Sequence, residues 1–384
     1  MKKYQGSYLS YFLMYMFYYL SMALFSGLIS VYLMDKGYKA SDVSLVVSCS
    51  FILSMITQPF IGNLCDRYDK KRVNGILLAI AGVFGILFVL ANNIYLIALI
   101  YSIALAILNG VNPIIERMST ISKHKYGLIR IWGTIGYASG TQVSGLIYRY
   151  ISPEAMYLFF VLGMILCSIG IFGTQDVRTI EQTSEEKTSM KDVLFNKKFL
   201  FYLVIVCIFY GITNVNSIYL PAMYQNNGLT VSQATTVIFA GTMMELPVIL
   251  LSRFYMNKIG NKQLLMLSFL LLVVQFMTYA YIPNVFIQMM MTFLTKSVTT
   301  MAFIMINMKV IATIIDGAHQ MSALSIVSTF KSFSSIIFQA IAGYLIDLYS
   351  YQFFYSFLFV CAIIGLVLCI LYKIPSGNEH RLFD

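Results

Sequence analysis

Long apolar runs separated by short polar segments dominate the hydrophobic pattern of this chain. Each run has about 20 residues, the length that an α-helix needs to cross the hydrocarbon core of a bilayer. The runs begin near Tyr8, Val43, Asn74, Ile94, Tyr126, Glu154, Phe199, Val231, Lys262, Asn284, Met321 and Gln352. Because lipid offers no hydrogen-bond partners, each run must satisfy its own backbone as a helix. The pattern therefore predicts an all-α membrane protein with about twelve transmembrane helices.

One longer polar stretch, residues 174–198, interrupts this pattern. It is rich in Glu, Ser and Thr, which is typical of a cytoplasmic linker. It divides the chain into an N-terminal six-helix half, 1–173, and a C-terminal six-helix half, 199–384, with a short cytoplasmic tail.

The composition excludes most soluble classes. Hydrophobic residues make up 59% of the chain and charged residues only 11%, whereas a soluble domain has about 25% charged residues. So few charges cannot cover a surface that faces water, and so apolar a chain is not disordered.

The six cysteines lie in or beside apolar runs, and their spacing predicts neither a disulfide framework nor a metal site. We expect no cofactor.

The basic residues indicate an orientation. With the N-terminus in the cytoplasm, 20 of the 26 Lys and Arg residues fall in cytoplasmic segments. Only Lys36, Lys39 and Arg149 fall in outer loops. Such a bias fixes the topology of multi-pass proteins. It predicts that both termini are cytoplasmic and that the chain is an integral plasma-membrane protein. The net charge of +10 is thereby explained without nucleic-acid binding.

Two loops indicate that the second half duplicates the first. Segments 37–41 and 228–232 both begin with Gly and end with Ser, and they are 191 residues apart. The loop after the second span gives the same offset, pairing Asp66 with Asn257 and Arg67 with Lys258. Repeats of this kind are typical of secondary transporters, whose binding sites lie at the repeat interface near the bilayer midplane.

The segment Gly62-Asn-Leu-Cys-Asp-Arg-Tyr-Asp-Lys-Lys-Arg72 resembles the signature loop of the major facilitator superfamily, Gly-x-x-x-Asp-Arg/Lys-x-Gly-Arg-Lys/Arg. Asp69 stands where that family usually has glycine, so we expect a different turn there. The resemblance implies the major facilitator fold and a cytoplasmic gating loop that locks and releases the two halves. Its residues are Gly62, Asp66, Arg67 and Lys71, with Asn257 and Lys258 in the second half. The alternative is that these charges only set the topology.

Gln58-Pro59 and the fifth-span segment Tyr126-Gly-Leu-Ile-Arg-Ile-Trp-Gly-Thr-Ile-Gly-Tyr137 are similar to the lactose permease and nucleoside–proton symporter branch. In lactose permease, an arginine at the position of Arg130 binds sugar, and an aromatic residue at the position of Tyr137 stacks against it. The two positions share one helical face. The resemblance therefore implies that both residues bind substrate.

The partner of this arginine differs from that of the permease. The fourth-helix carboxylate of lactose permease falls on Asn112 here, which we also assign to the substrate site. Glu116, one turn later, is the alternative partner, although its position favours the cytoplasmic end of the span. Tyr11, Tyr15 and Tyr18 share one face of the first span by spacing and are candidates for lining a cavity.

Four ionisable residues lie well within spans: Arg130, Glu245, Lys296 and Lys331. Such residues are costly to insert and are usually functional. Lys331 matches a lysine of lactose permease that pairs with a helix-seven aspartate, and the seventh span here offers only Asn214 and Asn216. We assign the two lysines and the two asparagines to substrate binding. An excess of cations favours solutes with negative charge or many hydroxyls, and the alternative is that Lys296 or Lys331 is neutral for part of the cycle. For Lys296 the alternatives to substrate binding are snorkelling and a structural ion pair. Arg130 as a purely structural residue and Glu245 as a mere partner of one of the lysines also stay open.

Proton coupling needs a group that titrates during the cycle. The three histidines lie in loops or the tail, and Glu245 is the one carboxylate deep in a span. Glu245 is therefore the predicted coupling site. Pro247, two residues later, is expected to break the helix.

The sequence favours a secondary transporter that works by alternating access as a monomer in the lipid bilayer, and it does not favour an enzyme. Its solute is a sugar, nucleoside or organic acid carried together with a proton. Efflux of drugs or metabolites by proton antiport is the runner-up, but the fifth span lacks the proline that efflux pumps of this superfamily often carry. A non-transporting sensor with the same fold is the alternative from a different class.

Overall fold

The computed structural model describes residues 4–175, 196–255, 258–315 and 320–373. Within these ranges all regular elements are α-helices. They are α1 (Tyr8–Ser26), α2 (Ile29–Asp35), α3 (Ala40–Arg67), α4 (Lys70–Leu90), α5 (Ile94–Thr120), α6 (Tyr126–Tyr150), α7 (Ala155–Gly173), α8 (Lys197–Asn226), α9 (Val231–Met243), α10 (Glu245–Tyr255), α11 (Asn261–Tyr281), α12 (Val285–Ile314), α13 (Gln320–Leu348) and α14 (Tyr351–Leu371). Every helical span begins within four residues of its predicted start.

The prediction of about twelve spans is confirmed. In the described ranges, 11 helical segments are long and apolar enough to cross a membrane. The first of them joins α1 with α2, and another joins α9 with α10. The twelfth span is α6, which is 25 residues long but less apolar because it carries Arg130, Arg149 and many small polar residues.

The 191-residue offset extends to the helix starts. The starts at Ala40, Lys70 and Ile94 in the first half recur at Val231, Asn261 and Val285 in the second. The helix caps recur as well: Asn93 caps α5 and Asn284 caps α12, each with its side-chain oxygen accepting from backbone N–H groups of the first turn. The repeat inferred from two loops therefore includes the starts of three helices and the cap of one of them.

Gly37 and Gly228 end helices in the same way. Their φ angles are 88° and 91°, in the left-handed region that favours glycine. Each glycine N–H donates to the carbonyl three residues back, at 2.9 Å for Gly37 and 3.0 Å for Gly228. The following N–H donates to the carbonyl five residues before it, at 3.1 and 3.0 Å respectively. Both are Schellman caps, so the matched glycines have one backbone function.

Valine at either glycine is expected to destabilise the protein. A β-branched residue in the left-handed region costs roughly 1–2 kcal/mol or more, so Gly37→Val and Gly228→Val should lower the Tm in detergent, with asparagine tolerated better. The control is Gly127→Ala in α6, where a Cβ meets nothing. That variant should keep or raise the Tm, and an equal loss in all three would contradict this explanation.

Asp69 is the N-cap residue of α4, directly before Lys70. Its carboxylate accepts a hydrogen bond from the Arg72 N–H at 2.8 Å, which is the geometry of an N-cap. The residue 191 positions later is Gly260, which begins α11 with φ −66° against −58° for Asp69. Asp69, which stands where the family usually has glycine, is therefore the N-cap residue of α4.

The contacts divide the chain into two compact units. Unit 1 contains Met1–Ile180 and Ile218–Met243, and unit 2 contains Glu181–Ser217 and Met244–Asp384. In unit 1, α1 packs against α6 and α7, and α3 packs against α5. In unit 2, α11 packs against α12 and α14. The division into halves at the 174–198 linker stays a prediction.

The C-terminal part of α8 and the whole of α9 belong to unit 1. The hydroxyl of Ser30 donates to the carbonyl of Ile218 at 2.5 Å, and the amide of Gln225 donates to Asp35 at 3.0 Å. The hydroxyl of Tyr148 donates to the same carboxylate at 2.5 Å. Residues from the second half of the sequence are therefore joined to α2 and α6.

Glycines bring α6 close to α1. A Cβ at Gly136 would collide with the carbonyl oxygen of Met16, and one at Gly140 with the carbonyl oxygen of Leu20. One turn earlier, Gly133 lies against the Tyr15 ring and the Arg130 guanidinium. This approach places Arg130 of α6 beside the tyrosines of α1.

Candidate functional site

Arg130 lies in the first turns of α6 and is half-buried. The central carbon of its guanidinium lies 5.7 Å from the centroid of the Tyr19 ring. It also interacts electrostatically with Glu116 of α5. The guanidinium therefore has an aromatic face on one neighbouring helix and a carboxylate on another, which is the setting that a cation needs in a span.

Glu116 organises the polar groups around this arginine. One carboxylate oxygen accepts from the Tyr19 hydroxyl at 3.0 Å, and the other accepts from the Tyr126 hydroxyl at 2.6 Å. The amide of Asn112 donates to the Tyr19 oxygen at 3.2 Å. We call Arg130, Glu116, Asn112, Tyr19 and Tyr126 the arginine cluster. Asn112 and its alternative, Glu116, both belong to it through Tyr19.

The other tyrosines predicted for unit 1 differ in their surroundings. Tyr137 lies two turns after Arg130 on α6, is half-buried and interacts electrostatically with Tyr101, and its role in substrate binding stays a prediction. Tyr11, Tyr15 and Tyr18 are at most 1% exposed. Tyr15 and Tyr18 nevertheless adjoin the arginine cluster, because both interact electrostatically with Glu116 and Tyr15 also interacts with Arg130. Tyr19 differs from them in that its hydroxyl is hydrogen-bonded to Glu116.

Loss of the Tyr19 hydroxyl should weaken solute binding. Tyr19→Phe keeps the ring against Arg130 but removes one donor from Glu116 and the acceptor of Asn112. A hydrogen bond to a charged group contributes about 1.5–3 kcal/mol, so the half-saturation concentration for uptake should rise about 10-fold or more. Tyr19→Leu should raise it further because the cation–π contact is lost as well. Tyr38→Phe, which removes a hydroxyl bonded to the Asn92 carbonyl, is the control, and an equal effect there would contradict this role.

Unit 2 holds a second cation over a tyrosine. The ammonium of Lys331, on α13, lies 4.8 Å from the centroid of the Tyr210 ring on α8. The amide of Asn214 donates to the Ser335 hydroxyl at 2.6 Å, and that hydroxyl donates to the Lys331 carbonyl at 2.8 Å. We call Lys331, Tyr210, Asn214 and Ser335 the lysine cluster. It brings two predicted residues, Lys331 and Asn214, to adjoining helices.

Asn216 lies apart from the lysine cluster. Its side chain is 3% exposed, and its carbonyl oxygen accepts from the Tyr355 hydroxyl of α14 at 3.2 Å. Its role in substrate binding stays a prediction.

Lys296 and Glu245 interact with each other. Lys296 lies in the middle of α12, and Glu245 is the first residue of α10. The helix is interrupted at Met244, three residues before Pro247, which lacks the N–H of one helix hydrogen bond and clashes with the carbonyl four residues before it. The break that we expected at Pro247 is confirmed, and it places a carboxylate at a helix start.

The gating-loop residues lie at helix ends. Gly62 and Asp66 are in α3, Arg67 is its exposed last residue, and the Lys71 ammonium donates to the Thr174 carbonyl at 2.6 Å. Lys258 is exposed, and Asn257 lies outside the described residues. The proposed locking role of this loop stays a prediction.

Histidine and metal chemistry have no clear site in the described part of the chain. His124 lies between α5 and α6, where its ring packs edge-on against Tyr8 and Tyr11. His319 and His380 lie outside the described residues. Among the residues described, no group of three or more His, Cys, Asp or Glu side chains is placed to hold a metal ion.

The tyrosines of both clusters could have been found from the repeat. Tyr19 and Tyr210 are 191 residues apart, the offset of the matched loops. Tyr126 gave no comparable signal, because its contact with Glu116 depends on how α5 and α6 meet.

A family model described as "MFS_1 like family" matches residues 8–357. An uncharacterized transporter, YwbF of Bacillus subtilis (strain 168), is 22% identical over 96% of this chain and 94% of its own length. The maltose permease of Geobacillus stearothermophilus is 22% identical over 93% of each chain. Multidrug resistance protein 2 of Bacillus subtilis (strain 168) is 20% identical over 89% of each chain.

Solved structures have the same fold. A mutant of the nucleoside transporter NupG superposes with a TM-score of 0.84 at 15% identity, covering 95% of this chain and 99% of that one. A bacterial homolog of the human lysosomal transporter Spinster gives a TM-score of 0.72 at 9% identity, covering 95% and 94%.

Proposed function

The chain belongs to the MFS_1 like family, and on this premise we propose that it carries out proton-coupled symport of a small polar solute. It is a secondary transporter, an integral multi-pass protein of the plasma membrane. The solute classes that we propose are sugars, nucleosides and organic acids.

The arginine cluster is the observation that carries this proposal. A guanidinium, an amide and two tyrosine hydroxyls converge from three helices. Such groups recognise hydroxyl-bearing and carboxylate-bearing solutes through charge-assisted and bidentate hydrogen bonds. Among the similar proteins, one is a maltose permease and another a nucleoside transporter, by their names. We propose that Arg130 and Asn112 bind the solute and that Tyr137, Asn214, Asn216, Lys296 and Lys331 complete the set.

Glu245 is the proposed proton carrier. It is a carboxylate at a helix break inside a span, and its partner is the ammonium of Lys296. Protonation of Glu245 would remove the negative charge that holds this lysine. The net charge of Glu245 and Lys296 then changes when Glu245 binds or releases a proton, and proton coupling requires such a change.

Gating is proposed at both sides of the membrane. On the cytoplasmic side we assign it to the loop of Gly62, Asp66, Arg67 and Lys71, together with Asn257 and Lys258. On the outer side we assign it to the hydrogen bonds of Asp35 with Tyr148 and Gln225. We propose that both termini are cytoplasmic, that residues 174–198 link two halves, and that the monomer is the functional unit.

Drug or metabolite efflux is the second candidate, because one relative is by name a multidrug resistance protein. The direction of coupling separates the two. Proteoliposomes with an inward proton gradient should accumulate a sugar, nucleoside or carboxylate from a labelled panel, and a protonophore should abolish accumulation. Solute expulsion under the same gradient would favour efflux, and binding without any flux would favour a sensor.

A further inference from the structure

The intramembrane charges are paired unequally in the two units. Arg130 interacts electrostatically with Glu116, and Lys296 interacts with Glu245. Lys331 has the Tyr210 ring but, among the residues described, no such interaction with a carboxylate. Of the three cations that the sequence places inside spans, Lys331 alone therefore lacks a counter-charge in the described part of the chain.

A ring does not neutralise a cation. The aromatic quadrupole attracts an ammonium, but this attraction is smaller than the cost of holding an ion in a medium of low dielectric constant. Lys331 therefore needs an anion from outside the described chain, or it loses its proton.

The repeat relates the tyrosines of the two clusters but not their cations, because the residue 191 positions after Arg130 is Met321 and Lys331 lies ten residues later. Tyr19 and Tyr210 are 191 residues apart, and each lies under a cation from the fifth span of its half, Arg130 or Lys331. In unit 1 the cluster is completed by Glu116. The residue 191 positions after Glu116 is Asn307, whose carbonyl oxygen accepts from the Tyr202 hydroxyl at 2.9 Å. An amide thus stands where the first half has a carboxylate.

Asn214, on the same helix as Tyr210, is an amide as well. Asn214 lies one turn after Tyr210 on α8 and bonds to Ser335, one turn after Lys331 on α13. Both elements next to the ammonium therefore present neutral polar groups.

We propose that Lys331 binds a carboxylate of the transported solute, with Tyr210 holding the ammonium in place. The inference rests on the proposed transport function and narrows its substrate class to carboxylate-bearing solutes, such as sugar acids or carboxylated nucleosides. A single excess positive charge matches a monoanionic carboxylate better than a dianionic phosphate, which would need a second cation.

The test compares neutral solutes with their carboxylated counterparts. The pairs are galactose and galacturonate, uridine and orotidine, and maltose and maltobionate. Binding to the purified full chain is measured by calorimetry and by thermal shift at pH 7. The carboxylate of at least one pair should bind tighter than its neutral partner. Lys331→Met should weaken that binding about 10- to 100-fold, since a hydrogen bond to a charged group contributes this much.

Further variants separate binding from folding. Lys331→Arg should keep the preference for the carboxylate. Lys331→Met should keep or raise the Tm of the solute-free protein, because it removes a half-buried charge inside a span. Tyr210→Leu removes the ring that the Lys331 ammonium contacts, so it should weaken binding of the carboxylate more than Tyr210→Phe, which keeps a ring. Lys373→Met, at an exposed lysine after α14, is the control.

Two outcomes overturn the inference. One is that no carboxylate binds tighter than its neutral partner, and the other is that Lys331→Met leaves the ratio of the two affinities unchanged. If proteoliposomes nevertheless accumulate a neutral solute under a proton gradient, the proposed function stands and only the assignment to Lys331 fails. If no solute of either kind is accumulated, the proposed function itself fails.

Discussion

Arg130→Gln is expected to reduce solute uptake by about 100-fold or more. The planar guanidinium can donate two parallel hydrogen bonds to a solute, each contributing about 1.5–3 kcal/mol when one partner is charged. Loss of both corresponds to at least two orders of magnitude in affinity. The substitution also leaves Glu116 without the cation that it faces. Half-saturation concentrations and maximal rates of uptake in proteoliposomes measure the effect.

Arg130→Lys is expected to restore little of this activity. A lysine keeps the charge but loses the fork of donors and the flat contact with Tyr19. Arg149→Gln is the matched control, because Arg149 lies on the same helix with its guanidinium 5.2 Å from the Tyr150 ring centroid but is exposed. Exposed contacts contribute less than about 1 kcal/mol, so the control should stay within a few-fold of the unchanged protein. Similar losses in both variants would contradict a role specific to Arg130.

Glu245→Gln is expected to abolish accumulation driven by a proton gradient and to preserve exchange of solute across the membrane. Glutamine has nearly the shape of the protonated acid but cannot release a proton. The variant should therefore carry solute in both directions without coupling it to protons. Counterflow of labelled solute, measured without a gradient, should remain within about 10-fold of the unchanged protein.

The loss of charge at Glu245 also leaves Lys296 without its partner. The double variant Glu245→Gln with Lys296→Met removes both charges and separates this effect from the loss of the proton. It should recover stability but not coupling. Glu154→Gln is the control for a carboxylate at the start of a helix, where Glu154 lies 3.9 Å from the Lys36 ammonium. Gradient-driven accumulation by Glu245→Gln at the normal level would rule out this residue as the proton carrier.

The helices were predictable because lipid imposes a simple rule. A span must be long, apolar and helical, so the starts of α1, α6 and α9 fall where the sequence predicts. Gly37 and Gly228 were predictable as equivalents, because a Schellman cap needs glycine at one position. The cap at Asp69 was not predictable from the resemblance, because the family usually has glycine there, whereas here the aspartate side chain caps α4.

The side-chain neighbours were less predictable, because they depend on how helices rotate against each other. Spacing along α1 groups Tyr11, Tyr15 and Tyr18, but the close approach of α6 at its glycines leaves Tyr19 facing Arg130. Asn214 and Asn216 are two residues apart and point to different helices, α13 and α14.

Simultaneous measurement of proton and solute flux tests the central claim most directly. Solute is added to proteoliposomes in weakly buffered medium without an imposed gradient, and the external pH is recorded. Symport predicts that protons enter with the solute, so the external pH rises in proportion to uptake, and that Glu245→Gln loses this rise. A fall in external pH on solute entry, or solute entry without any pH change, would contradict the account.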